Sequence, residues 1–347
     1  MAKAKQIRLK CNGPAPAGIK LVLVTRFDEL VGWRDIALDW TDPEGVHSMR
    51  VASRRLRSAL RDFMPYVRKR RLASVLKRLK SLADALGTVR DQDVAILALE
   101  EIQKKAPRES SVALKEFIEA RSQLRDEARK ELEAVIANEQ LAELQSTFVG
   151  RIDEAIASSE RKNKQPRAEP QLTFAEMSRE ILLARLKEFE KLSNALFRPL
   201  DGGPLHDMRI AVKRLRYAIE LFQRCWGRSM STHAKRAARI QTALGDIHDC
   251  DVWIASVGKQ IIRARKQNED HRVKGLIALL NHLNKLRTKH LRRALSRWSE
   301  WEAHDTSGKI RATLAPKEDV ETPPPPPVGE PETSATQLAG EQMRQGL

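Results

Sequence analysis

The sequence predicts an all-α protein built from two repeated helical halves, and three observations carry that reading. Aromatic residues make up 5% of the 347-residue chain, charged residues 31% and hydrophobic residues 41%, a balance that gives a core to helical bundles rather than to sheet sandwiches. Long stretches with apolar residues at helical spacing alternate with short connections, the pattern of antiparallel bundles with about four main helices per half. The third observation is repetition. VHSMRVASRRLR at 46–57 returns as LHDMRIAVKRLR at 205–216, and LGTVRDQDV at 86–94 returns as LGDIHDCDV at 244–252. The offsets are 159 and 158 residues, and two blocks kept in the same order mark duplication of a whole domain.

Residues 1–14 read as a basic N-terminal extension and 15–162 as the first half, with helices expected near 16–40, 45–64, 68–87, 91–104, 108–138 and 140–160. Pro43 sits where a first helical turn tolerates a missing N–H, and Pro65 and Pro107 fall at junctions. NKQPRAEP at 163–170 reads as a linker. The second half, 171–304, is expected to hold helices near 172–197, 204–224, 231–245, 249–267 and 270–301, with Pro204 at a helix start. Residues 305–347 are rich in Pro, Glu and Thr and carry five consecutive prolines from Pro323 to Pro327, which predicts a disordered or polyproline-like tail outside the fold.

The formal net charge of +17 is unevenly spread: residues from Pro316 onward carry −4, leaving +21 on residues 1–315. So large a charge repels itself in a compact fold unless an anionic partner neutralises it, which points to nucleic acid, acidic membrane or polyphosphate. Cys11, Cys225 and Cys250 are odd in number and follow no metal or disulfide spacing, so a reducing compartment, the cytoplasm, is expected. The early apolar run Leu21 to Val24 is too short for a signal or membrane helix, and no membrane partner is expected.

The charge is organised. With about 100° per helical residue, Arg50, Arg54, Arg57 and Arg61 fall within about 80° of His47, while Met49, Ala52, Leu56, Ala59, Leu60 and Phe63 face nearly the opposite way. In the second repeat His206, Arg209, Lys213 and Arg216 are in phase, with Arg214 beside them, and Met208, Leu215, Ile219 and Phe222 form the apolar side; Glu220 takes the fifth position. From residue 47 to 61 the stripe is about 21 Å long, a length that suits an extended chain of anions better than a single phosphate. On the next helix Lys77, Arg78 and Lys80 are answered by Lys235, Arg236 and, one position late, Arg239. Arg supplies planar forks and Lys mobile point charges for phosphate oxygens.

His47 and His206 have no His, Cys or Glu at metal-ligand spacing, so neither a metal nor a cofactor is expected. Among arginines a histidine's charged form is disfavoured, and a bound phosphate restores it, so binding should tighten as pH falls through the histidine range. The second block adds Arg90 and His248 to the candidate binding residues. Its aspartates, Asp91 and Asp93 with Asp249 and Asp251, stand two apart and so do not face one another on a helix. One of each pair is expected to cap the following helix and the other to hold an arginine of the stripe.

At these residues the chain resembles the conserved histidine α-helical domain (CHAD) family. His47, Arg50, Arg54, Arg55 and Arg57, repeated as His206, Arg209, Lys213, Arg214 and Arg216, carry the resemblance together with the LG…RDxDV block, over nearly all of residues 15–300. It implies two four-helix bundles related by a pseudo-twofold, a basic groove or channel between them, binding to inorganic polyphosphate and association with polyphosphate granules. Ser48 stands where the family usually carries Asp, as at Asp207, and His248 stands in place of Arg. No stretch reads as the triphosphate-processing β-tunnel to which some members are fused, so a stand-alone binding module is expected, and not an enzyme.

Two other functions compete. Basic grooves also attract nucleic-acid backbones without regard to sequence, but the stripe has no interleaved aromatics to stack on bases and no helix-turn-helix or zinc-finger pattern. A phosphoanhydride enzyme would use a stripe histidine to accept a phosphoryl group, yet no Gly-rich phosphate loop or acidic metal cluster accompanies the histidines. Oligomeric state is not legible in the sequence.

Overall fold

The computed structural model describes residues 4–104, 111–162 and 172–316, and every described element is helical or irregular. The chain forms α1 (Ala15–Val31), a short α2 (Arg34–Ala37), α3 (Pro43–Phe63), α4 (Ala73–Gln103), α5 (Ser111–Val135), α6 (Asn138–Lys162), α7 (Phe174–Lys191), α8 (Gly202–Trp226), α9 (Ser229–Lys266), α10 (Asp270–Ala303) and α11 (Thr306–Leu314). The linker expected at 163–170 and the tail from residue 317 lie outside the described residues. The described residues up to Leu314 belong to one compact unit.

Two α-helices are longer than the sequence suggests. The breaks expected between residues 87 and 91 and between 245 and 249 do not occur: α4 and α9 run straight through Gly87 and Gly245. A glycine inside a helix costs only about 1 kcal/mol relative to alanine, and the packing of α3 on α4 and of α8 on α9 overrides it. The expected aspartate caps are therefore absent, because no helix starts there. The first helix, in contrast, stops at Val31 instead of running to residue 40, and the chain turns through Gly32 and Trp33 into α2.

The tail also starts later than expected. Thr306, Ile310 and Leu314 form the buried face of α11, which packs against α7, α9 and α10. Their i, i+4, i+8 spacing is a helical signal that the Pro-rich composition further on obscured.

One apolar core runs through both halves. On α3, Met49, Ala52, Leu56 and Phe63 are fully buried, and on α8 Met208, Leu215, Ile219 and Phe222 are fully buried, so both apolar faces read from the sequence are core faces. Phe63 of α3 meets Phe174 of α7 and Phe222 of α8 with ring centroids 5.6–6.2 Å apart, which joins the halves at their centre. Gly18 makes this possible, since a Cβ there would lie 2.2 Å from the Phe174 ring. A second apolar cluster, with Leu99, Leu114, Trp253, Val257, Leu276 and Leu283, joins the far ends of the α4–α5 and α9–α10 hairpins.

Polar contacts recur at the repeat offset. Glu29 of α1 accepts from Arg26 at 2.5 Å and from Arg55 of α3 at 2.9 Å. Glu188 of α7 accepts from Arg185 at 2.9 Å and from Arg214 of α8. Each of these three residues in the second half stands 159 positions after its counterpart.

The cysteine reading requires correction: Cys11 and Cys225 form a disulfide across 214 residues, and Cys250 is the free, buried thiol. Sequence spacing could not show this pairing, because the fold brings the N-terminal segment to the C-terminal end of α8. Backbone hydrogen bonds from Phe174 to Gly13 and from Ala175 to Cys11 hold that segment on the start of α7. The cysteines thus give no support to a reducing compartment. Among the described residues no helix is long and apolar enough to cross a membrane.

Candidate functional site

Helix α3 starts at a built cap: Asp42 Oδ1 accepts from the Glu44 N–H at 2.8 Å and Pro43 occupies the first turn. That start fixes the phase of everything downstream. With the apolar side of α3 buried, Arg50, Arg54, Arg57 and Arg61 face a common cleft of about 370 Å³. Helix α8 crosses α3 and adds Lys213, Arg214 and Tyr217, and α4 closes a wall with Asp84, Gly87, Thr88 and Asp91. Six cations thus meet two carboxylates, and one of those is occupied: Arg50 donates to Asp91 Oδ1 at 2.7 Å and to the Gly87 carbonyl at 3.4 Å.

The cations perturb one another. Burial first, then Arg54, Arg209, Arg61 and Arg214, push the Lys213 amine down to about 7. Arg54 is lowered by burial and by Arg50 and Arg209. The same holds for imidazoles: burial and Arg90 lower His47, and burial, Arg209 and His206 lower His248. A polyanion in the cleft would relieve the repulsions at Lys213 and Arg54, which line it.

Other candidates sit beside the cleft. The His206 and His248 rings lie 4.9 Å apart, and Arg209 covers Gly245 as Arg50 covers Gly87. Arg90, near His47, occupies the place in the first half that His248 takes in the second. Lys77 and Lys80 line a neighbouring hollow of about 450 Å³ that shares Asp84 and Thr88 with the cleft.

The remaining candidates point elsewhere. Arg78 is bound to Glu143 at 2.9 Å and to the Gln140 carbonyl of α6. Arg236 donates to Thr306 of α11, and Arg239 reaches only Glu300 of α10, at 4.0 Å. Arg216 lies over the Tyr217 ring and pairs with Glu220 at 3.3 Å, and Lys235 is exposed and lines neither hollow. The structure therefore divides the candidates, and it adds members that sequence reasoning missed. Ser53 and Ser58 line the cleft, are 2% and 4% exposed, and their hydroxyls have no hydrogen-bond partner among the described residues. Ser58 lies about 20° from His47 on the helical wheel, at the edge of the basic arc, so its phase could have revealed it. Tyr217 has the same phase relative to His206, whereas Ser53 lies off that arc and becomes a lining residue only through the crossing of α3 and α8.

Of the paired aspartates, Asp91 holds Arg50 and its counterpart Asp249 lies in the field of Arg209, while Asp251 holds Arg287 of α10 at 2.5 Å.

The described residues form an all-helical protein with a cationic cleft between two helices of matching His/Arg pattern. The chain belongs to the CHAD domain family, whose description matches residues 22–258. Two uncharacterized proteins, from two strains of Mycobacterium tuberculosis, are each 27% identical over 280 residues, covering 77% of this chain and 50% of theirs. The chain thus spans half the length of these relatives. Among solved structures, the CHAD domain from the plant Ricinus communis matches with TM-score 0.59 and 21% identity over 91% of this chain and 97% of that one. PptA from Streptomyces chartreusis matches with TM-score 0.58 and 13% identity over 83% of this chain and 100% of that one. At these identities the structural likeness is one of fold.

Proposed function

We propose that this chain binds inorganic polyphosphate in the cleft between α3 and α8 and associates with polyphosphate granules in the cytoplasm, acting as a binding module and not as an enzyme. The observation that carries the reading is the cleft lining: six cationic side chains from two helices against two carboxylates. Guanidinium forks suit phosphate oxygens, Ser53 and Ser58 offer spare donors, and a mutually repelling cluster gains most from a ligand with regularly spaced negative charge. Membership of the CHAD family supports the choice of polyphosphate over other polyanions.

The test compares wild type with the variant Arg50→Glu/Arg54→Glu/Arg209→Glu/Lys213→Glu for equilibrium binding to long-chain polyphosphate and to short duplex DNA, at matched salt near physiological strength. Selective wild-type binding to polyphosphate that collapses in a still-helical variant is the expected result. Equal binding to both polymers, or no loss in the variant, would replace the reading with a generic basic surface. Phosphate release from polyphosphate by pure protein, abolished in His47→Ala, would replace it with an enzymatic one. A fluorescent fusion that stays diffuse in granule-containing cells would remove the granule assignment.

A further inference from the structure

We propose that Lys213 is a site of selective covalent acylation by small anionic acyl donors, acyl phosphates in particular. The inference stands on the geometry of the cleft and not on the identity of its polymeric ligand. Lys213 is half-buried on α8 and lines a cleft of about 370 Å³, within the size range of small-molecule sites. Arg54 and Arg61 of α3 and Arg209 and Arg214 of α8 face it. On α4 the acids lining the same cleft are Asp84 and Asp91, the second held by Arg50, and Glu188 of α7 is engaged by Arg185 and Arg214. Lys213 has no ion pair or hydrogen bond among the described residues, so its amine is not tied up by a carboxylate.

Two properties follow. The surrounding guanidiniums concentrate an anionic donor and can hold its phosphate, while burial together with the same positive field keeps much of the amine in its neutral, nucleophilic form. The Nζ lone pair adds to the carbonyl carbon of the acyl phosphate, and the N–C bond forms. The bond from that carbon to the phosphate oxygen then breaks with its electron pair, inorganic phosphate departs, and the surplus proton on nitrogen passes to phosphate or water. The product is an uncharged amide, so the modification removes one cation from the centre of the cleft.

The exposed lysines Lys77, Lys80 and Lys235 serve as controls within the same molecule. Full-length protein is treated with acetyl phosphate at pH 7 and, in parallel, with a neutral donor such as N-hydroxysuccinimidyl acetate, and site occupancy is followed by mass spectrometry. With the amine near 7 rather than near 10.5, Lys213 is expected to react about ten-fold or more faster than the exposed lysines. Its lead is expected to be larger with acetyl phosphate than with the neutral donor, and its rate to level off above about pH 7.5. Arg54→Gln, which removes one repelling charge, is expected to move that pH profile upward. Acylation of Lys213 no faster than of Lys77 and Lys80, or a rate still climbing at pH 9, would overturn the proposal. An equal lead with the two donors would overturn the role of the arginines in recruiting the anion.

Discussion

Arg50 of α3 and Asp91 of α4 are joined across 41 residues of sequence by a 2.7 Å hydrogen bond, and the arginine is well covered while the carboxylate is largely exposed. An exposed partner contributes little to stability but places a negative charge at the mouth of a cationic cleft. Asp91→Asn is therefore expected to leave the urea midpoint nearly unchanged and to tighten polyphosphate binding about five-fold, the effect of one unit charge worth about 1 kcal/mol. Weaker binding would show that aiming Arg50 matters more than the charge.

Binding is expected to take up protons. In the free protein the Lys213 amine is pushed down to about 7 and His47 and His248 are lowered, and a bound polyanion favours the charged form of each. Affinity should rise as pH falls from 8 to 6, with proton uptake seen as a buffer-dependent heat in calorimetry. Lys213→Arg should lose the part of this dependence centred near pH 7. Folding responds with the same group: its folded pKa lies below the unfolded value, so its cost is full below about pH 7 and disappears as pH approaches 10.5. Unchanged affinity across this range would count against both groups.

The two recurrent carboxylates should differ in weight. Glu29 is 5% exposed in its side chain and holds two arginines, while Glu188 is 27% exposed. Glu29→Ala is expected to cost about 3 kcal/mol or more because it strands buried guanidiniums, and Glu188→Ala nearer 1 kcal/mol. Denaturation in urea measures both, and equal losses would refute the argument from burial.

Cys11–Cys225 closes a loop of 214 residues. Chain-entropy reasoning assigns such a long loop about 3–5 kcal/mol, so Cys225→Ser should lower the melting temperature by several degrees. Thiol trapping of protein taken directly from cells reports whether the bond persists where the protein works. A fully reduced pair would show that the fold stands without it.

Much of this fold was legible because helical phase is local. Met49, Leu56, Met208 and Phe222 fall on buried faces as their spacing requires, and the α3 arginines opposite Met49 and Leu56 line the cleft with Lys213 of α8. What escaped the sequence depends on distant neighbours. Gly87 and Gly245 look like breaks until α3 and α8 are packed across them, Ser53 joins the cleft only through the crossing of two helices, and Arg78 leaves it because Glu143 of α6 stands nearby. Charge type alone cannot separate Arg54, which has a cleft to face, from Arg236, which has Thr306 to hold.

His206 and His248 face each other where the first half sets His47 beside Arg90. A linear chain of phosphates is identical read from either end, so the protein would carry a direction that its proposed guest lacks. Under the proposed binding, the guest would meet in the first half a guanidinium of permanent charge, Arg90, where the second half offers the imidazole of His248. At this one pair of corresponding positions a fall in pH would strengthen the second repeat and leave Arg90 unchanged, so the two repeats would be unequal partners for a symmetric polymer.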